Sequence, residues 1–267
     1  MERNSFQDAF ALDSAQEALL FHSLARPQDD PGLLQVRFRI RGMVDDEVMA
    51  QAWNDALARH ESLMMAVQTP DAGKPGLALA AHTSVEVSED DLFTDDPGKQ
   101  GAALERMLVR DRAEGLDPGT CPVMRLRCLR LGPELRQYVW TVHQMFVDPR
   151  SASVVLHDVL EFYSVRRTGT PADLPELPGL ADHADRVRAA SGDAAQAFWR
   201  DLLITGPRTP VTNALRRNAE VAGPSERCDI AVPKDLAVNL NRAAAATGTT
   251  PRALIGAAWA LCLAALS

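Results

Sequence analysis

Runs of alternating apolar and polar residues constrain the fold of this chain more than any other feature of its sequence. Residues 33–41 alternate in this way, and so do residues 123–131 and 136–144, which flank a short turn at 132–134. Alternation with period two is typical of a strand with one buried face, and two such runs joined by a turn indicate a β-hairpin. We therefore expect a sheet with one face in the core. The opposite face is interpreted as solvated surface, and its arginines are Arg37, Arg39, Arg41, Arg125 and Arg127.

Apolar residues at helical spacing predict helices between these strands. The first helix can be capped by Asp13 or by Ser14, since Glu17 follows Ser14 by three residues. Its predicted apolar face consists of Ala15, Leu19, Leu20 and Leu24. The predicted order is helix 13–25, strand 33–41, helix 45–60, strand 62–68, a loop at 69–76, helix 99–114, the hairpin and helix 151–163. This order predicts a mixed α/β (α+β) fold in which helices flank a mixed sheet.

The last third of the chain is predicted to be mostly helical. Residues 168–180 hold three prolines in thirteen residues and are the best linker candidate. Further along the chain, Pro251 stands where a first-turn proline opens a helix. The predicted elements after the linker are helices at 181–203, 234–247 and 252–266, a loop at 204–227 and a short strand near 228–232.

Charge and cysteine content exclude several classes of protein. Asp and Glu number 36 against 28 Lys and Arg, and this net charge of −8 argues against nucleic acid or an anionic membrane as partner. Acidic residues interrupt the first twenty residues, where a signal peptide needs an apolar stretch. No CxxC pair occurs, so we expect reduced, mostly buried thiols and a cytoplasmic protein. The cysteines are Cys121, Cys128, Cys228 and Cys262.

The best local candidate for a site is the segment 142–149, where a polar cluster follows a strand and precedes a helix. If His143 lies in the strand, it points away from Gln144, and the two cannot line one pocket. A catalytic His143 competes with a structural alternative, an internal histidine hydrogen-bonded to Asp148 or to the backbone. The other histidines are weaker candidates: His157 and Asp158 lie on a predicted helix, and no HExxH, GxSxG, P-loop or GxGxxG motif accompanies them.

Three motifs in order and at matching spacing resemble those of the condensation domains of nonribosomal peptide synthetases, in the chloramphenicol-acetyltransferase-like superfamily. Residues 12–21 resemble the opening Ser-x-Ala-Gln motif, and residues 59–63 (Arg-His-Glu-Ser-Leu) resemble Arg-His-Glu-x-Leu-Arg. Residues 142–151 stand where the family has His-His-x-x-x-Asp-Gly. Supporting matches are Asp182-His183-Ala184, Phe198 to Leu202, and Thr249 to Leu261. The resemblance implies residues 1–175 as an N-terminal acetyltransferase-like lobe and residues 176–267 as the incomplete start of a C-terminal lobe.

The third motif departs from the family pattern at two positions. His143 matches the first histidine, which is structural in the family, and Asp148 matches the aspartate, which meets an arginine of the second lobe there. Gln144 replaces the active-site histidine and Pro149 replaces the glycine. A glutamine amide has no proton to exchange near neutral pH, and loss of a general base typically costs ~10²–10⁴ in rate. Proline fixes φ near −65° and favours an extended residue before it, so both changes weigh against normal condensation.

Three interpretations follow from the resemblance and its departures. The favoured one is a truncated, non-catalytic condensation-like part of a synthetase with a structural or recruiting role. Its partners would be a peptidyl or acyl carrier protein, an adenylation domain or a tailoring enzyme, with no bound cofactor beyond a carrier's phosphopantetheine arm. The second is a variant acyltransferase that forms an amide or ester between carrier-bound substrates, with Gln144 as donor and His143 or Asp148 assisting. The third is a fragment or eroding remnant of a longer chain.

The final predicted helix, 252–266, carries no charge after Arg252 and is apolar around most of its circumference. A helix of this kind is normally buried on several sides. Its fifteen uncharged residues, 253–267, are fewer than the ~20 that a membrane-spanning helix needs. We therefore expect a partner, a second copy or a missing lobe to cover it.

Overall fold

The computed structural model describes residues 6–69, 73–190, 192–205 and 230–266. The strands within those residues are β1 (Phe6–Ala11), β2 (Leu33–Arg41), β3 (Met65–Gln68), β4 (Gly76–Ala80), β5 (Val87–Asp91), β6 (Met124–Gly132) and β7 (Leu135–His143). The helices within them are α1 (Ser14–Ala25), α2 (Asp46–Arg59), α3 (Pro97–Glu114), α4 (Pro149–Thr168), α5 (Leu180–Ala190), α6 (Asp193–Thr205), α7 (Lys234–Ala246) and α8 (Pro251–Leu266). A 3₁₀ helix, Glu61–Met64, precedes β3.

The larger sheet has the strand order β2-β7-β6-β5. The hairpin strands β6 and β7 are antiparallel, as is the pair β2 and β7, in which Val36 lies opposite Trp140. Only the β5–β6 pair of this sheet is parallel. The predicted strand 33–41 and the predicted hairpin are confirmed, and the fold is the mixed α/β arrangement expected from the sequence.

Helices α2 and α4 cover one face of this sheet and form the main core with it. Trp53 of α2 and Trp140 of β7 have no exposed surface, and their rings meet edge to face with centroids 5.2 Å apart. Val155 of α4 and Leu126 of β6 complete this region of the core. Each large apolar side chain buried in this way contributes ~1.5–3 kcal/mol relative to its exposed state. The prediction that the apolar face of the strands lies in the core is therefore confirmed.

The opposite face of the sheet is only partly solvated, which corrects the interpretation of its arginines. Arg37, Arg39 and Arg41 are exposed as predicted. Arg125 and Arg127 are not, because their Nε atoms donate at 2.7 and 2.8 Å to one carboxylate oxygen of Asp111 on α3. Helix α3 covers this part of β6 and β7, so the two guanidinium groups neutralise a carboxylate that is only 1% exposed.

Two further donors reach Asp111, from Gln35 of β2 at 2.8 Å and from the hydroxyl of Thr141 on β7. Burial raises the pKa of Asp111, but the hydrogen bonds from Arg127, Thr141, Arg125 and Gln35 outweigh burial and lower it to about 2. The carboxylate is thus ionised and ties α3 to three neighbouring strands.

A second, antiparallel sheet with the order β1-β4-β3 contains strands that the sequence did not reveal. Both β1 and β4 are short, and they pair with each other across a long stretch of sequence, so local alternation carries little signal for them. Strand β5 (VSEDD) is rich in acidic residues because it lies at the edge of the larger sheet, where charged residues are common. The second part of the predicted strand 62–68 is confirmed as β3, whereas residues 62–64 belong to the 3₁₀ helix.

Helix α1 confirms the predicted position and the first of the two predicted caps, but it corrects the predicted buried face. Asp13 is the N-cap and forms a reciprocal capping box with Gln16, so the alternative with Ser14 and Glu17 is wrong. Leu20 is buried, whereas Leu24 is 69% exposed. The helix is rotated from the predicted face because its polar Ser23 is buried, where it meets a histidine described below.

The chain divides into two compact units, Met1–Ala190 and Ser191–Ser267. The lobe boundary at 175/176, taken from the resemblance, stays a prediction. In the second unit, α6, α7 and α8 lie at the predicted positions, and Pro251 opens α8. Most of the predicted loop 204–227 lies outside the described residues, as do residues 228 and 229 of the predicted strand, while residues 230–232 form no regular element.

The described cysteines differ in exposure. Cys128 is 3% exposed, and burial raises the pKa of its thiol to about 11. Cys121 is half-buried, but Cys262 on α8 is exposed, contrary to the expectation that most thiols are buried. Cys228 lies outside the described residues. The described cysteines are free thiols.

Candidate functional site

The candidate site is the loop between β7, which ends at His143, and α4, which begins at Pro149. Backbone hydrogen bonds fix this loop at its start. The amides of Phe146 and Val147 donate to the carbonyl of His143 at 3.0 and 3.3 Å, and the amide of Gln144 donates to the carbonyl of Gly32 at 2.8 Å. The loop is therefore a tight turn held against the residues that precede β2.

His143 is completely buried, and both ring nitrogens have partners. Nδ1 accepts the backbone N–H of Met145 at 3.1 Å, which assigns the ring proton of the neutral form to Nε2. Nε2 lies 2.7 Å from Ser23 Oγ and 3.2 Å from a carboxylate oxygen of Asp30. The Ser23 hydroxyl donates to the carbonyl of Leu19, so it accepts from the ring. Burial lowers the pKa of His143 and the carboxylate of Asp30 opposes that change.

This geometry corresponds to the structural alternative for His143, an internal histidine bonded to the backbone. Its carboxylate partner is Asp30 rather than Asp148. Gly32 is required beside the ring, because a Cβ atom there would lie 2.6 Å from His143 Nε2. The sequence reasoning missed Ser23, Asp30 and Gly32; the Asp-Pro-Gly turn that contains the last two was the available signal.

Gln144 is half-buried. Its Nε2 donates to the carbonyl of Pro31 at 3.3 Å, a long contact. The side chain can therefore orient a neighbouring group by hydrogen bonding, but an amide cannot take up a proton from an amine.

Asp148 is exposed and serves as the N-cap of α4, accepting the backbone N–H of Ser151 at 2.6 Å. This hydrogen bond is the main reason that the pKa of Asp148 is lowered. Asp148 is extended, with φ −80° and ψ 168°, and Pro149 occupies the first helical position, where its missing N–H costs nothing. The helix predicted from Ser151 therefore starts two residues earlier and includes the proline.

The first motif holds the loop after β7 in place. The side-chain oxygen of Gln16 accepts the N–H of Asp13 at 3.0 Å within the capping box, and its Nε2 donates to the carbonyl of Met145 at 3.2 Å. The first and third motifs, which lie far apart in sequence, thus meet through one glutamine side chain.

The second motif, residues 59–63, holds the end of α2 against α4. Arg59 Nε and His60 Nε2 each lie 2.9 Å from the same oxygen of Asp158, whose side chain is 3% exposed. Burial lowers the pKa of His60, and Asp158 opposes this change. The second motif therefore holds α2 against α4. Its sequence does not indicate this role, since its partner Asp158 lies outside the three motifs.

Within the described residues, no group of three or more His, Cys, Asp or Glu side chains is placed to hold a metal ion. In the same part of the chain, no helix combines the length and the apolar character needed to cross a membrane.

Comparison of the sequence with known proteins shows similarity to peptide synthetases. A profile of the condensation domain family matches residues 6–267. Two of the proteins that make up the linear gramicidin synthase of Brevibacillus parabrevis are 28% and 26% identical, each over 97% of the chain. The chain spans only 5% and 3%, respectively, of these two large proteins.

Solved structures share the fold. The first condensation domain of the calcium-dependent antibiotic synthetase, in complex with a substrate analogue, superimposes with a TM-score of 0.77 and 23% identity over 96% of the chain. The starter condensation domain of the rhizomide synthetase gives a TM-score of 0.64 and 17% identity over 73% of the chain. The chain spans 61% and 48% of these two solved chains.

Proposed function

The chain belongs to the condensation domain family of nonribosomal peptide synthetases, and on that premise we propose that it is a non-catalytic member with a structural or recruiting role. Its site binds and orients but does not accept the proton of an attacking amine. The partner that it recruits is a carrier protein, an adenylation domain or a tailoring enzyme of the same pathway.

The observation that carries this proposal is the state of the third motif. Amide formation needs a group that accepts the proton of the amine as the intermediate forms, and it also needs hydrogen bonds that stabilise the intermediate. His143 is neutral and buried, and its Nδ1 already accepts the backbone N–H of Met145. Gln144, next along the chain, is an amide, and Asp148 uses a carboxylate oxygen to cap α4. These contacts give each member of the motif a structural partner.

Exposed apolar surface supports a role in binding other proteins. On α6, Phe198 and Trp199 are 60% and 55% exposed, and on α8, Ile255 and Trp259 are 56% and 64% exposed. Large aromatic side chains presented to solvent are typical of surfaces that associate with other protein. We propose that a partner, a second copy or the rest of a second lobe covers α8.

Binding of the chain to the carrier and adenylation domains of its own synthetase tests the recruiting role. We expect retention of at least one domain at micromolar concentration, and weaker retention when Trp259→Glu places a charge on α8. His157→Glu, on the exposed side of α4, is the matched control because it adds the same charge elsewhere. If none of the domains is retained by the unmodified chain, the recruiting role is wrong.

A further inference from the structure

Residues 169–180, which we call the strap, connect α4 to the first residue of α5 and contain leucines three residues apart. Leu174, Leu177 and Leu180 are half-buried, whereas the intervening Pro175 and Pro178 are exposed. In an extended proline-rich chain with three residues per turn, residues three apart face the same side. The side of the strap that carries the leucines therefore packs against the rest of the first unit.

Arg59 and Glu61 of the second motif contact the strap at two points. The guanidinium of Arg59 donates to the carbonyl of Pro175, and the carboxylate of Glu61 accepts the backbone N–H of Leu180 at 2.8 Å. Arg59 is itself anchored, because its Nε donates to the buried Asp158 at 2.9 Å. Both contacts are made to the strap backbone, so they determine the path of the chain rather than the identity of its side chains.

Leu180 links the strap to the candidate site. Its side chain packs against the apolar cluster that contains Leu20, Met65 and Met145. Met145 lies in the loop after β7, and its N–H is the one that His143 accepts. Leu180 thus makes two contacts: its backbone N–H donates to Glu61, just after α2, and its side chain packs against the cluster that includes Met145 of the loop that carries Gln144.

We propose that Arg59 and Glu61 clasp the strap against the first unit, and that the strap braces the loop 144–148 through Leu180. The second motif then acts as a positioning element for the third motif. This role follows from packing alone, so it holds whether the loop is catalytic or only binds.

Hydrogen exchange of the full chain, measured by mass spectrometry, tests the clasp. In Glu61→Ala, the amide of Leu180 loses its acceptor, and we expect it to exchange roughly tenfold faster, with faster exchange at residues 144–148 as well. Cleavage by a glutamate-specific protease after Glu176 should rise in parallel. Glu61 is exposed, so this change leaves the core intact.

Two variants serve as controls. Glu61→Gln keeps an acceptor oxygen and should exchange like the unmodified chain. Asp55→Ala removes another contact between α2 and α4, the exposed pair with Arg166 at 2.6 Å, and should leave the strap unchanged. Unchanged exchange at Leu180 in Glu61→Ala would overturn the clasp. Faster exchange at Leu180 without any change at residues 144–148 would overturn the bracing of the loop.

Discussion

The substitution Asp111→Asn is expected to destabilise the first unit by removing the charge that holds α3 to the sheet. Asp111 is 1% exposed and accepts hydrogen bonds from Arg125, Arg127, Thr141 and Gln35. Asparagine keeps one acceptor oxygen but leaves the two guanidinium groups without their buried counter-charge. Loss of one member of a buried ion pair costs about 3–5 kcal/mol, and we expect the lower end because both arginines retain some exposure.

The dependence of the folding stability on pH gives a second, independent value for the contribution of the Asp111 carboxylate. The pKa of Asp111 is about 2 against an ordinary value of 3.8, which corresponds to roughly 2 kcal/mol of stability held by the ionised form. Because the pKa of the folded state is the lower one, this contribution is complete above about pH 5 and is lost as the pH falls through 4 towards 2. The stability difference between the unmodified chain and Asp111→Asn should therefore shrink over that range.

Urea unfolding monitored by tryptophan fluorescence measures this difference, since Trp53 and Trp140 lie fully buried in the same unit. Asp90→Asn is the matched control, because Asp90 lies 3.9 Å from Arg127 and its side chain is 36% exposed. A partly exposed pair at this distance contributes less than about 1 kcal/mol. A loss in Asp111→Asn no larger than that in Asp90→Asn, or one that is equal at pH 3 and pH 7, would refute the reasoning.

Three substitutions near the candidate site have distinct expected effects. His143→Ala should destabilise the chain by about 1.5–3 kcal/mol in urea unfolding, because it removes the ring nitrogen that lies 3.2 Å from the buried carboxylate of Asp30, and adding Asp30→Asn should recover part of that loss. Gln144→Ala should change stability by less than about 0.5 kcal/mol, because its contact with Pro31 is long. Gln16→Ala should cost about 1 kcal/mol and speed hydrogen exchange in the loop after β7, because it removes half of a capping box and a bond to that loop; wild-type exchange there would contradict this role.

The long strands with one buried face were predictable from sequence, whereas the short strands of the second sheet were not all predictable. Period-two alternation located β2, β6 and β7 to within a residue or two at each end, because burial of one face leaves a direct imprint on the sequence. Strands β1 (FQDAFA) and β4 (GLALA) carry no such imprint, since they are only six and five residues long and do not alternate clearly between apolar and polar residues. The ion pairs of Arg125 and Arg127 were missed because an alternating sequence indicates that a strand has an apolar and a polar face. It does not indicate that a helix, here α3, covers the polar face.

For the candidate site, sequence reasoning singled out the segment 142–149 but not the residues that its side chains contact. His143, Gln144 and Asp148 follow from the motif, whereas Ser23 and Asp30 come from α1 and from the turn before β2. Those two residues contact the imidazole only because the fold brings three distant segments together. The contacts of Asp158 with Arg59 and His60 were missed for the same reason, since they join two helices that are distant in sequence.

The rate of amide formation from loaded donor and acceptor carrier proteins tests most directly whether the loop after β7 lacks a group that can accept a proton. We expect the same product formation with the chain as without it, and no change in Gln144→Ala. Amide product above that background, lost on Gln144→Ala, would contradict a non-catalytic site and assign Gln144 a part in the reaction.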